Sequence, residues 1–174
     1  ESLITSAIFY AALLMSVVKR FVKKNKMSTG PMPWTSKKHI QLTKILTRDE
    51  SKDVENMFRR MCFNVFAHNR DDHWKNFTYL YDETGDRWNL SPAYDLTYSN
   101  TYYGEHTTTV DGNGRNPGRK ELLAVGTGAG MKKTRCEEII DEIEKKVKEM
   151  LEEYLLGKWF SLHSKNFKQQ VINS

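Results

Sequence analysis

The chain is 174 residues long, with 39% hydrophobic and 28% charged side chains, which suits a soluble protein with one cored domain. A formal net charge of +5 would help attract a phosphate-rich ligand but specifies no fold. With no aromatic–basic repeat in the sequence, direct nucleic-acid binding is not expected as the main activity.

Residues 3–18, LITSAIFYAALLMSVV, carry no charge and are followed by Lys19, Arg20, Lys23, Lys24 and Lys26. Two readings stand. A membrane anchor with a basic cytoplasmic flank would need about 20 apolar residues, and the run is shorter. A signal peptide would carry its charges before the apolar stretch. The favoured reading is a buried helix, with the whole chain, 1–174, as one cytoplasmic unit. Residues 25–36 hold Gly30, Pro31 and Pro33 and are expected to form a loop.

A helix is expected from Thr35 or Ser36, either of which can cap it, with Ile40, Leu42, Ile45 and Leu46 as its apolar stripe. Residues 47–51 break it. Ser51 is placed to cap a second helix, about 52–67, whose buried face is Val54, Met57, Phe58, Met61, Cys62 and Val65. Cys62 and Cys136 form no C-x-x-C pair and read as buried thiols in a reducing compartment, not as a disulfide framework or a zinc site.

The second helix would deliver His68 and Asn69 into a polar loop where Asn69, Asp71, Asp72, His73, Lys75 and Asn76 crowd together. A hairpin follows: Phe77 to Tyr81, a turn at 82–86, then Arg87 to Leu90. The ribbon would return Asp95 to the neighbourhood of Asn76. Residues 98–118 are rich in Asn, Gly and Thr, with a short strand expected at 107–110 and a surface turn at 111–114. Asn116 and Pro117 look like the cap and first position of a helix through about Val125, broken by Gly126, Gly128 and Gly130. Thr134 would cap a last helix to about Leu155, with Ile139, Ile140, Ile143, Val147, Met150, Leu151 and Tyr154 on its apolar face and a polar tail from 157.

Phosphoryl transfer needs a carboxylate to orient the acceptor hydroxyl, and a carboxamide and second carboxylate to hold Mg²⁺ on the nucleotide phosphates. Protein kinases space the first two as D-x-x-x-x-N and set the second aspartate beyond a short ribbon. Asp71 and Asn76 have that spacing, and Asp95 stands where the second aspartate would. Asp72 reads either as a second base or metal ligand or, better, as a maker of loop hydrogen bonds. Lys75 would contact a phosphate or neutralise the aspartates. His68 and His73 beside two aspartates could suit a metal-dependent hydrolase. Ligands on one helix face would sit three or four apart, however, and His106 is distant in the chain, so His73 is expected to orient the loop.

The wording is more specific than the spacing. N-x-D-D-H-x-K-N-F followed by L-S-P-A-Y-D-L-T resembles the HipA-like serine/threonine kinases, the toxins of bacterial toxin–antitoxin modules. The likeness runs from about Trp34 to about Tyr154, through Met57-Phe58-Arg59-Arg60 and Gly104-Glu105-His106-Thr107, and only faintly through residues 1–33. It implies an α+β, mainly α fold: a helical kinase-like large lobe with a small β-hairpin carrying the catalytic loop. It further implies ATP and Mg²⁺ as cofactors, Asp71 as catalytic base, Asn76 and Asp95 as metal ligands, and His73, Trp74, Lys75, Tyr94, Leu96 and Thr97 beside the nucleotide. A protein substrate and an antitoxin with a helix-turn-helix are the implied partners.

A phosphate-binding Gly-rich loop and a strand lysine are also needed, and nothing upstream of Asp71 supplies them. The resemblance is therefore to a carboxy-terminal catalytic lobe, incomplete without an amino-terminal lobe. The rival expectation is an inactive fragment that binds a partner.

Overall fold

The computed structural model describes residues 34–48, 51–99 and 104–155. The apolar run 3–18, most of the 25–36 loop and the tail from 157 lie outside them.

Trp34–Thr35 form a short strand, β1, that leads directly into helix α1, Ser36–Thr47. Thr35 is extended and its hydroxyl accepts the Lys38 N–H at 3.4 Å, an N-cap suited to its residue type. Ile40, Leu42 and Leu46 are buried, but Ile45 is 53% exposed. His39, Thr43 and Thr47 take the remaining inward positions. The two threonine hydroxyls are satisfied locally: Thr43 donates to the His39 carbonyl at 2.8 Å and Thr47 to the Thr43 carbonyl at 3.0 Å. The Tyr79 hydroxyl then donates to Thr43 Oγ1 at 2.7 Å, and burial pushes that phenol up to about 12, so it stays a donor.

Helix α2, Lys52–Phe66, buries all six expected stripe residues. Ser51 holds the N-cap position without a side-chain capping bond; Asp53 and Glu55 instead place negative charge at the positive end of the helix. The far end is a Schellman turn. Asn69 N–H donates to Asn64 O at 2.9 Å and His68 N–H to Val65 O at 3.4 Å, with His68 in the left-handed region at φ 50°. The helix thus stops abruptly and turns the chain into the polar loop.

After a single 3₁₀ turn at Trp74–Asn76, strands β2 (Tyr79–Asp82) and β3 (Arg87–Leu90) pair antiparallel, with Tyr79 opposite Leu90 and Asp82 opposite Arg87. Asp82 Oδ1 closes the turn by accepting the Thr84 and Gly85 amides at 3.0 and 3.1 Å. The short strand expected at 107–110 is β4, Thr108–Thr109. Its partner was not expected: it pairs in parallel with β1, Trp34 against Thr108 and Thr35 against Thr109.

Two helix boundaries differ from expectation. Helix α3 spans Arg119–Gly128, with Gly118 rather than Asn116 at its N-cap, and it runs through Gly126 instead of ending there. Glu121 selects this start, its carboxylate accepting the Gly118 N–H at 3.0 Å. The glycine is a packing residue. A Cβ at Gly126 would lie 2.6 Å from Cys136 Sγ and 3.0 Å from the Phe58 ring. Helix α4, Lys133–Leu155, begins one residue before the expected cap, Thr134. It buries Cys136, Ile139 and Ile140, whereas Met150 and Leu151 are 55% exposed, so only its first half packs as expected.

α2 is the central element, packed on α1 and α4, with α3 on α4 and α1 on β3. Arg59 of α2 joins Glu55 and Glu142, while Arg135 joins Glu55 and Glu138, tying α2 to α4 along their polar edge. Cys62 and Cys136 are free, buried thiols; burial pushes Cys62 up to about 12, where it is inert. The architecture is α+β and mainly α, with a small antiparallel hairpin, as the sequence implied. Among the described residues no helix is long and apolar enough to cross a membrane.

Candidate functional site

The polar loop is held from both sides. Arg70 N–H donates to Ser99 O at 3.3 Å and Ser99 N–H to His68 O at 3.2 Å. On the other side Thr107 N–H donates to Arg70 O at 3.0 Å. Asn69 and Arg70 are therefore held between two neighbouring segments, although their sequence has no strand pattern.

Asn76 is the convergence point. Its Nδ2 donates to the Asp71 carbonyl and to Asp95 Oδ2, both at 3.0 Å. One amide nitrogen thereby joins Asp71, through its main chain, to the carboxylate of Asp95. Asp95 itself is in the left-handed region at φ 55°, a conformation that costs a non-glycine residue about 1–3 kcal/mol. It is held there by Asn69, whose buried Nδ2 donates to the Asp95 carbonyl at 3.2 Å and to Asn64 Oδ1 at 3.1 Å.

The other expected site residues surround this centre. His73 Nδ1 accepts the Lys75 N–H at 3.2 Å and so caps the 3₁₀ turn, orienting the loop. The Tyr94 hydroxyl donates to the Lys75 carbonyl at 2.6 Å, stitching the segment before Asp95 to the turn that carries Asn76. Trp74 and Leu96 are 44% and 40% exposed, and Lys75 and Thr97 are also exposed. Asp71 points to solvent, whereas Asp72 is buried and makes loop hydrogen bonds to His106 and Thr108.

The sequence assigns no site role to two further residues, although Arg60 stands in the family-like run 57–60. Arg60 and Asn64 of α2 line a small cavity with Asn69, Asn76, Tyr94, Asp95 and Leu96. Arg60 donates to the Ser91 carbonyl, so it anchors the end of β3 where the chain turns towards Asp95. Burial lowers the Arg60 pKa. The available signal was their spacing: positions 60 and 64 share a helix face with the apolar stripe.

Among the described residues no group of three or more His, Cys, Asp or Glu side chains is placed to hold a metal ion. The oxygens gathered around the Asn76 amide nitrogen are one Asp95 carboxylate oxygen and the Asp71 main-chain carbonyl. These are hard ligands, and few in number, which suits Mg²⁺, an ion that keeps several waters and binds through one or two side chains plus substrate phosphates.

Residues 14–151 match the model of the HipA-like C-terminal domain, starting upstream of Trp34. No curated protein sequence matches the chain. Among solved structures, the fold is similar to HipA of Shewanella oneidensis MR-1, from the complex of that toxin–antitoxin system's HipA and HipB with operator DNA. The TM-score is 0.58 at 17% identity over 70% of this chain. The match covers 29% of the Shewanella chain, so the likeness is to one part of a longer protein. With most of its length inside the family model, the chain belongs to the HipA-like C-terminal domain family.

Proposed function

We propose that the chain is the catalytic core of a protein serine/threonine kinase that transfers the ATP γ-phosphate to a protein hydroxyl as the toxin of a toxin–antitoxin module. In this reading Asp71 orients and deprotonates the acceptor hydroxyl, while Asn76 and Asp95 hold Mg²⁺. His73, Trp74, Lys75, Tyr94, Leu96 and Thr97 border the nucleotide, and a HipB-like antitoxin is the partner. The observation that carries the reading is the Asn76 amide, which bonds the Asp71 main chain and the Asp95 carboxylate at 3.0 Å each. Mg-ATP would supply the phosphoryl group and neutralise charge developing on it. The chain's own residues supply position and electrostatics, the two terms that dominate this chemistry.

The test is transfer of labelled γ-phosphate to protein, by the chain alone and with an amino-terminal lobe joined to it. Asp71→Asn is expected to abolish transfer, and retained transfer would refute the base assignment. A second reading, a partner-binding module without turnover, draws on the 29% coverage of the Shewanella chain. Calorimetry separates the two: micromolar Mg-ATP binding by the chain supports the enzyme, and binding only after a partner is added supports the module.

A further inference from the structure

Asp72 follows Asp71 in sequence but has the opposite environment. Asp71 is exposed; Asp72 is 4% exposed. The two side chains turn opposite ways: Asp71 to solvent, and Asp72 inward, where it also lines the small cavity with Asn76 and Asp95.

Both Asp72 carboxylate oxygens are engaged. Oδ1 accepts the Thr108 N–H at 2.8 Å, and Oδ2 accepts from His106 Nδ1 at 3.0 Å. The Asp72 carbonyl accepts the Thr108 hydroxyl at 2.6 Å. His106 and Thr108 are themselves 6% and 3% exposed. His106 is fixed in turn, its own N–H donating to Gly114 O at 2.7 Å. Thr108 belongs to β4, which is paired to β1 at the start of α1. Asp72 is thus fastened through main chain and side chain to a segment that is part of the scaffold. Removing one partner of a buried hydrogen bond leaves the other unsatisfied, so the arrangement resists displacement. Asp71 lies between two anchored residues, Arg70 on Ser99 and Thr107, and Asp72 on His106 and Thr108.

We propose that Asp72 and His106 are positioning residues, a buried clamp that fixes the direction of Asp71 and sets its carbonyl beneath the Asn76 amide. Its consequence for turnover rests on the kinase reading above; its geometric consequence does not. The first arm of the test is kinetic, in whichever form of the protein transfers phosphate. His106→Ala is expected to lower kcat about 10- to 100-fold with KM for ATP nearly unchanged, the penalty for a misplaced reacting group. His106→Asn, whose amide can donate from near the Nδ1 position, should recover most of that loss. Asp72→Asn keeps an acceptor for Thr108 and a partner for His106, so it should stay active where Asp71→Asn is dead. If Asp72→Asn is folded and as inactive as Asp71→Asn, Asp72 is a catalytic carboxylate and the clamp is wrong.

The second arm needs no turnover. In nuclear magnetic resonance spectra of the nucleotide-free chain, His106→Ala should lose exchange protection at the Thr108 amide and also shift the Asn76 side-chain amide resonances. Thr108→Val, which removes only the hydroxyl bond to Asp72, should shift the same resonances if the alanine variant does not fold. Asn76 resonances that stay in place while Thr108 loses protection would overturn the proposal. If no form of the protein transfers phosphate, the kinase reading fails, and this arm alone decides the clamp.

Discussion

At the scale of the residue, Asn69 and Asn76 carry more of the geometry than the aspartates they serve. Each uses one amide nitrogen to reach two acceptors, and Asp95 is an acceptor for both, through its carbonyl to Asn69 and its carboxylate to Asn76. Asn69 is 2% exposed, so its bonds form without competition from solvent. Replacing it with alanine would leave Asn64 Oδ1 and the Asp95 carbonyl short of a donor inside the protein. It would also remove the restraint that keeps Asp95 at φ 55°. Asn69→Ala is expected to cost about 1–3 kcal/mol in urea denaturation. It should also weaken Mg-nucleotide binding by calorimetry, although Asn69 is not among the proposed ligands. A loss below about 0.5 kcal/mol would mean that water replaces both bonds and that Asp95 holds its own conformation.

At the scale of the element, helix α3 shows a conflict between intrinsic preference and packing. Glycine inside a helix is less favourable than alanine by about 1 kcal/mol. Gly126 and Gly128 both lie within α3, so propensity alone makes alanine better at both. The surroundings separate them. Gly128 is exposed, and its Cβ would meet only the Lys37 Cε at 3.9 Å; at Gly126 a Cβ would collide with Cys136 and Phe58. Gly126→Ala is therefore expected to destabilise by about 1–3 kcal/mol, while Gly128→Ala should be neutral or stabilising by up to about 1 kcal/mol. Equal midpoints for the two variants in a denaturant titration would show that α3 can shift away from α2 and α4. The same contrast explains what the sequence could and could not show. The α2 stripe was legible because a 3.6-residue period repeats over four turns. The glycines read as breakers because helix propensity is local, whereas the contact of α3 with Phe58 and Cys136 is not. β1 and β4 have two residues each, too few to show a period, so their parallel pairing was invisible. Asp71 and Asp72 look alike in sequence, and the D-x-x-x-x-N spacing singled out the exposed one. The anchoring of the other depends on His106 and Thr108, more than thirty positions away.

For the whole molecule, the joint between α1 and the polar loop makes stability depend on pH. His39 is 2% exposed on α1, with its ring 4.4 Å from that of Phe77 just beyond the 3₁₀ turn. Burial, and secondarily the nearby His73, pull the His39 pKa down to about 3 from an ordinary value of 6.5. The folded protein therefore keeps His39 neutral where the unfolded chain would protonate it. Between those two values the unfolded state binds more protons, so stability rises with pH there. The contribution is fully present above about 6.5 and is lost progressively as the solution is acidified towards 3. Carboxylates act at the acid end of this window and below it. Glu142, hydrogen-bonded to Lys146 and Arg59, has its pKa pulled down from 4.5 to about 2, but its surface position screens that gain. The histidine's share is thus separable between pH 6.5 and 5, where carboxylates change little. In that interval His39→Phe is expected to flatten the dependence of the thermal midpoint on pH, whatever it does to the midpoint itself. An unchanged slope in the variant would show that His39 is reached by solvent before the protein unfolds and that the α1–loop joint opens locally.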